Sequence, residues 1–234
     1  MYAELAHWWP LLSPPSEFVE EAEYFLGLLR AAQPAPKTLL ELGCGGGSLA
    51  WHLKRELALT LVDRSPRMLA VCRAANPECE VIEGDMRSVR LGRVFDAVLV
   101  HDAIMYATTE ADLAATIDTA ARHCAPGGTV ILAHDFTRET FRASREHGGG
   151  DGGGRSLRFV AWTFDPDPSD TTFETVYTFY LRHADGSTRI EDDRHREGLF
   201  PEATWLALMA DAGLDARAVE DPWRERIFTG RRHG

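Results

Sequence analysis

Residues Glu41 to Ser48 read Glu-Leu-Gly-Cys-Gly-Gly-Gly-Ser, between the apolar run Thr38-Leu39-Leu40 and a stretch, Leu49 to Leu57, whose apolar residues fall at helical intervals. A glycine turn between a strand and a helix start is suited to binding. Glycine reaches backbone angles closed to other residues and clears side chains from a ligand's path, while the free amides of the helix start point at that ligand. The implied guest is nucleotide-like. His101, Asp102 and Tyr106 follow one later apolar run, and His134 and Asp135 follow another. An imidazole near its reference pKa of roughly 6.5 can take a proton at neutral pH, which makes His101 and His134 candidate bases and Tyr106 a candidate polar partner. Each has a plainer alternative: His101 can hydrogen-bond a cofactor or cap the following turn, and His134 can serve loop structure. Cys44 lies inside the turn with no base beside it, and small size accounts for it better than thiol chemistry.

Positioning these residues requires a regular frame. Glu17 to Arg30 has helical spacing of Phe18, Ala22, Phe25, Leu26 and Leu29, with Ser16 as a cap and Pro34 and Pro36 beyond its end. From Thr38 onward the pattern alternates: strand to Leu42, helix to Leu57, strand Ala58 to Val62, helix Pro66 to Ala75, strand Glu80 to Ile82, strand Phe95 to Val100, helix Glu110 to Cys124, strand Thr129 to Ala133. Such alternation predicts an α/β fold with a mainly parallel sheet and helices on both faces. Ligands bind at the carboxyl ends of strands in open sheets of this kind, where His101 and His134 fall.

After Phe141 the pattern changes. The run 148–154 holds six glycines around Asp151 and reads as a mobile loop. Leu157 to Phe164, Phe173 to His183 and Thr188 to Arg196 read as three antiparallel strands, the last two joined by a hairpin turn at 184–187. Helix Pro201 to Ala212 and two short strands, Ala216 to Glu220 and Arg226 to Thr229, close the chain.

The formal net charge of −11 opposes attraction to phosphate backbones and anionic lipid, so neither nucleic acid nor membrane is expected as a partner. Four scattered cysteines without paired spacing fit reduced thiols and a cytoplasmic setting.

The glycine turn alone does not name the ligand. An NAD-type fingerprint places Gly or Ala three positions after Gly45, where Ser48 stands; instead Glu41 precedes glycines at 43, 45 and 47. That spacing resembles motif I of the class I S-adenosylmethionine-dependent methyltransferases. Gly84-Asp85-Met86 matches the family's adenine-binding segment, Cys124-Ala125-Pro126-Gly127-Gly128 its Leu-x-Pro-Gly-Gly turn with Cys124 in the Leu place, and Val94 to Val98 its fourth strand.

The resemblance implies a Rossmann-like mixed seven-stranded sheet flanked by helices, with a small antiparallel insertion after the fifth strand. It implies an N-terminal lid segment over 1–37, a cofactor core over 38–141, the glycine loop and insertion over 142–200, and closing elements over 201–234. S-adenosylmethionine would be held by Gly43, Gly45 and Gly47 at its methionine end, with Cys44 also in the cofactor site and Glu41 ordering the turn or meeting the ammonium. Asp63 would hold the ribose, and Asp85 and Met86 the adenine, with Arg64, Met68 and His101 also near the cofactor. Tyr2 and Trp9, from an aromatic N-terminal cluster, would fold over it. The implied activity is methyl transfer to nitrogen or oxygen of a small-molecule acceptor by a monomer or homodimer, without a metal. A non-catalytic binder and an NAD-dependent oxidoreductase are the alternatives. Arg194 and Arg196 share one strand face and could clamp an anionic acceptor or form a solvated surface.

Overall fold

The computed structural model describes residues 5–234; the lid candidate Tyr2 lies outside the described residues. Two short helical turns, Ala6–Trp8 and Pro15–Phe18, flank helix α1 (Trp9–Leu12) and lead into α2 (Val19–Arg30). Ser16 does not cap that helix. Its residue lies within the Pro15–Phe18 turn, and Phe18 occupies the capping position.

The core alternates as expected: β1 (Thr38–Leu42), α3 (Ala50–Leu53), β2 (Ala58–Asp63), α4 (Pro66–Ala75), β3 (Glu80–Glu83), β4 (Phe95–His101), α5 (Glu110–His123) and β5 (Cys124–Ala133). The helix expected to reach Leu57 is regular only to Leu53 and then continues as turns. The strand expected from Thr129 begins at Cys124, so the Pro-Gly-Gly segment lies within it.

Past β5 come β6 (Ser144–Gly148), β7 (Asp151–Gly152), β8 (Arg155–Phe164), β9 (Thr172–Arg182), β10 (Thr188–Gly198), α6 (Glu202–Asp211), β11 (Leu214–Asp221) and β12 (Glu225–Arg232). The main sheet has seven strands in the order β11-β12-β5-β4-β1-β2-β3. β1 to β5 run parallel, while β12 is antiparallel to β5 and β11 to β12.

Both sheet faces are covered, which is why β1 and β4 read as almost continuous apolar runs. Leu40, Leu42, Val98, Val100, Val130 and Leu132 face α5 and α6, while Leu39, Leu61, Leu99 and Ile131 face α2, α3 and α4. Alternation along a strand therefore decides which side of the molecule each residue at the strand ends serves.

The inserted strands form a separate antiparallel sheet in the order β10-β9-β8-β6, with β7 paired to β8. Leu157, Phe159, Phe179 and Leu181 on its inner face pack against Leu5, Trp8 and Leu11 of the N-terminal segment. The glycine run is not the mobile loop that its composition predicts; it belongs to this sheet. Gly148 ends β6, Asp151–Gly152 is a strand, and Leu157 N donates to Gly150 O at 2.9 Å. Gly149 has φ +125°, and a Cβ there would stand 2.0 Å from Leu157 O. Here glycine permits a close backbone approach.

Candidate active site

The glycine turn is folded by its own backbone. Gly43 N and Cys44 N both donate to Val62 O, at 2.7 and 2.9 Å, tying the end of β1 to the end of β2. Asp63 closes the arrangement: one carboxylate oxygen accepts from Gly45 N at 2.9 Å and the other from Ser65 N at 2.8 Å, at the start of α4. Burial raises the Asp63 carboxyl, against the lowering effect of these hydrogen bonds.

Gly43 has φ +79°, and a Cβ on it would meet Ala103 Cβ at 2.1 Å and Met86 Sδ at 4.0 Å. The turn is thus wedged against the segment that follows β4. Met68 is fully buried beneath Gly45, and Trp9 lies on the turn so closely that a Cβ on Gly46 would be 2.2 Å from its ring. Ser48 Oγ donates to Ser13 O at 2.6 Å, a second tie between the N-terminal segment and the turn. Exposed Arg64 projects its charge onto both Asp63 and Asp85. Asp85 accepts from Arg87 N at 2.8 Å and Arg87 Nη2 at 2.7 Å, and Arg87 holds its carboxyl below the usual range.

Glu41 is the buried polar group that fits a ligand here. It is 2% exposed, and its Oε2 has no hydrogen-bond partner among the described residues. Burial pushes its carboxyl up to about 7; the charge of His101 opposes this and those of Asp63 and Asp102 reinforce it. A ligand bringing a cation to the glycine turn would satisfy that oxygen.

Across the strand ends the charges are denser. His101, the last residue of β4, is buried with its ring edge-on to Phe18 and Phe25. Its Nε2 is 3.0 Å from Glu21 Oε1 on α2 and 2.9 Å from Arg224 Nη2 between β11 and β12. Arg224 also reaches Glu21 Oε1 at 2.5 Å and Asp102 Oδ1 at 2.8 Å, with Asp135 Oδ1 3.9 Å from its Nε. Burial alone would raise the Glu21 carboxyl, but the hydrogen bond and charge of His101 and the charge of Arg224 outweigh it and hold it at about 2. Burial would lower His101, yet the charges of Asp102 and Glu21 raise it. Asp102 carries φ +49° and ψ −45°, a strained geometry for a residue with a side chain. Asp102 N donates to Ala133 O at 2.9 Å, so the ends of β4 and β5 help hold it there.

Tyr106 OH is 2.7 Å from His195 Nδ1 on β10, which joins the main sheet's edge to the inserted sheet. Burial pushes the Asp135 carboxyl upward, reinforced by the charge of Asp102 and also by that of Glu197 on β10.

One sequence-based expectation is corrected, at His134, and one open choice is resolved, at Arg194 and Arg196, in favour of a solvated surface. His134 shares the α5 and α6 side with Val130 and Leu132. It is 1% exposed, stacked on Phe228 at 5.0 Å and tilted against Trp205 at 4.7 Å. Burial, with help from the Arg224 charge, pushes its pKa down to about 3, so it is a neutral packing residue and not a base. Arg194 and Arg196 lie on the outer face of the inserted sheet, paired with Glu174 at 2.6 Å and Asp170 at 3.3 Å, and both are more than half exposed.

Glu21, His195, Glu197 and Arg224 escaped the sequence reading as site residues. Glu21 carries a usable signal, an acid three residues after Phe18 and four before Phe25 on the apolar helix face.

Residues 39–128 match the family described as a methyltransferase domain. The chain is 33% identical over 220 residues to dTDP-3-amino-3,4,6-trideoxy-α-D-glucopyranose N,N-dimethyltransferase of Streptomyces venezuelae, covering 92% of this chain and 91% of that protein. The chain belongs to the class I S-adenosylmethionine-dependent methyltransferases. Among solved structures, this methyltransferase resembles the sugar N-methyltransferase KedS8 from Streptoalloteichus sp. (28% identity, TM-score 0.84, covering 93% of this chain and 88% of that one). It also resembles S-adenosylmethionine-bound CalS10, an amino pentose methyltransferase of Micromonospora echinaspora (25% identity, TM-score 0.78, 91% and 90%). The likeness extends through the inserted sheet as well as the core. The methyltransferase uses S-adenosylmethionine and acts on a small-molecule acceptor, so the dinucleotide oxidoreductase alternative falls. No helix among the described residues is long and apolar enough to cross a membrane.

Proposed function

We propose that the acceptor is the amine of a nucleotide-linked amino sugar and that the enzyme methylates its nitrogen. The supporting observation is the electrostatics of the strand ends. The charge of Asp102 raises both the Asp135 and the Glu197 carboxyl, and that of Glu197 also raises Asp135, the three carboxyls coming from the end of β4, the end of β5 and β10. A group of carboxylates attracts an ammonium and can accept its proton, whereas it repels an acceptor carboxylate or phenolate. The substrate class follows the named relatives, which match over nearly the whole chain.

In this reading Gly43, Cys44 and Gly45 admit the methionine end of the cofactor, with the Glu41 oxygen facing its ammonium. Asp63 serves the ribose, and Asp85 and Met86, with Arg64 and Met68 near them, serve the adenine. Trp9 covers the turn and excludes water. The cofactor supplies a methyl group on a sulfonium, a leaving group already activated by its charge. The protein's task is alignment, which in favourable systems is worth roughly 7 to 11 kcal/mol. His101, clamped by Glu21 and Arg224, fixes the end of β4 where that alignment is set, and Tyr106 positions the inserted sheet through His195.

The test is incubation with S-adenosylmethionine and dTDP-3-amino-3,4,6-trideoxy-α-D-glucopyranose, followed by mass spectrometry. Gain of one and then two methyl groups is expected. Protein that binds the cofactor by calorimetry yet leaves this and related amino-sugar nucleotides unmethylated would sink the proposal.

A further inference from the structure

The inner face of β10 carries a polar row. Alternation places Asp193, His195 and Glu197 on one side of the strand, opposite Arg194 and Arg196. His195 is spoken for, between Tyr106 and an Asp193 oxygen 3.3 Å from its Nε2. Glu197 is different. It is 8% exposed, and its Oε2 accepts from Thr175 Oγ1 at 2.9 Å, with Thr163 Oγ1 a further 3.1 Å away. Its Oε1 receives no hydrogen bond from any described residue.

No described cation is paired with Glu197 either. Arg196, its chain neighbour, points outward to Asp170, and Arg224 is engaged by Glu21 and Asp102. The charge that acts on Glu197 is that of another carboxylate, Asp102 after β4, and Glu197 in turn acts on Asp135 after β5. A buried carboxylate without a cation is costly, and the cost is relieved by a proton or by a cation that arrives with a ligand. The site lies where the sheet's carboxyl edge, through Asp102 and Asp135, meets the insertion.

We propose that Glu197 is the proton acceptor for the acceptor nitrogen; this rests on the amine reading above. The bound ammonium gives one proton to the Glu197 carboxylate and becomes a neutral amine, and the carboxylic acid passes that proton to water. The nitrogen lone pair then forms the N–C bond while the C–S bond breaks and its electron pair stays on sulfur, leaving a neutral thioether and a methylated ammonium. That ammonium loses its next proton by the same route, so each methyl transferred releases one proton and a second transfer can follow.

The environment suits this role. Burial pushes the Glu197 carboxyl up to about 7, the Thr175 hydrogen bond pulling down and the Asp102 charge pushing up. That brings it nearer to an alkylammonium, roughly 10 by the lysine reference, than an ordinary carboxylate of about 4.3 would be.

The experiment uses the whole chain with dTDP-3-amino-3,4,6-trideoxy-α-D-glucopyranose as probe, comparing wild type with Glu197→Gln, Glu197→Asp, Thr175→Val and the outer-face control Arg194→Gln. Two quantities are read: probe affinity without cofactor by calorimetry, and single-turnover methylation, each across neutral pH. Wild-type affinity should weaken about tenfold per pH unit below the Glu197 pKa, because the protonated carboxyl must shed its proton to receive an ammonium. Glu197→Gln should lose that dependence and methylate roughly 100-fold more slowly, with S-adenosylmethionine affinity unchanged. Glu197→Asp should recover part of the rate, and Thr175→Val should move the acid limb to higher pH. Should Glu197→Gln not fold, Thr175→Val alone decides the matter, and an unmoved limb overturns the proposal. Glu197→Gln with the wild-type rate and pH profile overturns it while leaving the amine reading intact. Wild type that neither binds nor methylates the probe overturns both.

Discussion

The two halves of the proposed site are built in opposite ways. The cofactor half is local: Glu41, Gly43, Cys44, Gly45, Asp63, Met68, Asp85 and Met86 fall within one stretch of chain, and several act through backbone amides held by Val62 O and the Asp63 carboxylate. The acceptor half gathers Glu21 from α2, His101 and Asp102 from the end of β4, Asp135 after β5, His195 and Glu197 from β10, and Arg224 from the last hairpin. Its members act through charged side chains. Recognition of an invariant cofactor can be written into a turn, while recognition of a particular acceptor is assembled from whatever the fold brings to the same edge.

The sharpest way to break that contrast is at Arg224. It is buried against Glu21 and Asp102, so Arg224→Gln leaves uncompensated carboxylates and should cost about 3–5 kcal/mol in urea unfolding. A cost under about 1 kcal/mol would mean that the acceptor half is not held by this cluster.

Next is the pH response. The His134 pKa is about 3 in the folded protein against an ordinary 6.5, so the unfolded chain binds the extra proton first. Its contribution to stability is fully present above pH 6.5 and is lost as pH falls toward 3. His134→Phe should flatten that slope, sparing on the order of 5 kcal/mol at its acid end. The Glu21 contribution lies lower, present above its ordinary 4.5 and lost as pH falls toward about 2, so it should survive in the variant. An unchanged slope between about pH 6 and 4 would place His134 in water after all.

Within the cofactor half, Asp63→Ala removes the acceptor for Gly45 N and Ser65 N and should weaken S-adenosylmethionine binding roughly 10- to 100-fold by calorimetry. Acceptor affinity measured without cofactor should hold. Loss of both together would show that the halves are not separable.

The smallest effect belongs to the outer face of the insertion. Arg194→Ala breaks an exposed pair with Glu174 and should shift stability by less than about 0.5 kcal/mol, with turnover unchanged. A large loss of turnover would restore the idea of an arginine clamp on the acceptor.

The sequence by itself determined the main sheet and the identity of the cofactor. The sheet rests on apolar periodicity, and the cofactor on the family resemblance carried by the glycine turn, Gly84-Asp85-Met86 and the Pro-Gly-Gly segment, all short-range patterns. Tertiary structure decided the remainder. Glycine content from 148 to 154 signals flexibility in composition, yet the partner strand and Leu11 turn that freedom into close packing. His101 and His134 stand at matching strand ends, but alternation sends one to a charged cluster and the other between Trp205 and Phe228. Glu197 and Arg224 are unremarkable in the sequence, because a charge gains meaning from the charges around it, and those come from chain segments far apart. Local patterns set backbone shape; only the closed fold sets the electrostatic surroundings that decide which carboxyl can take a proton.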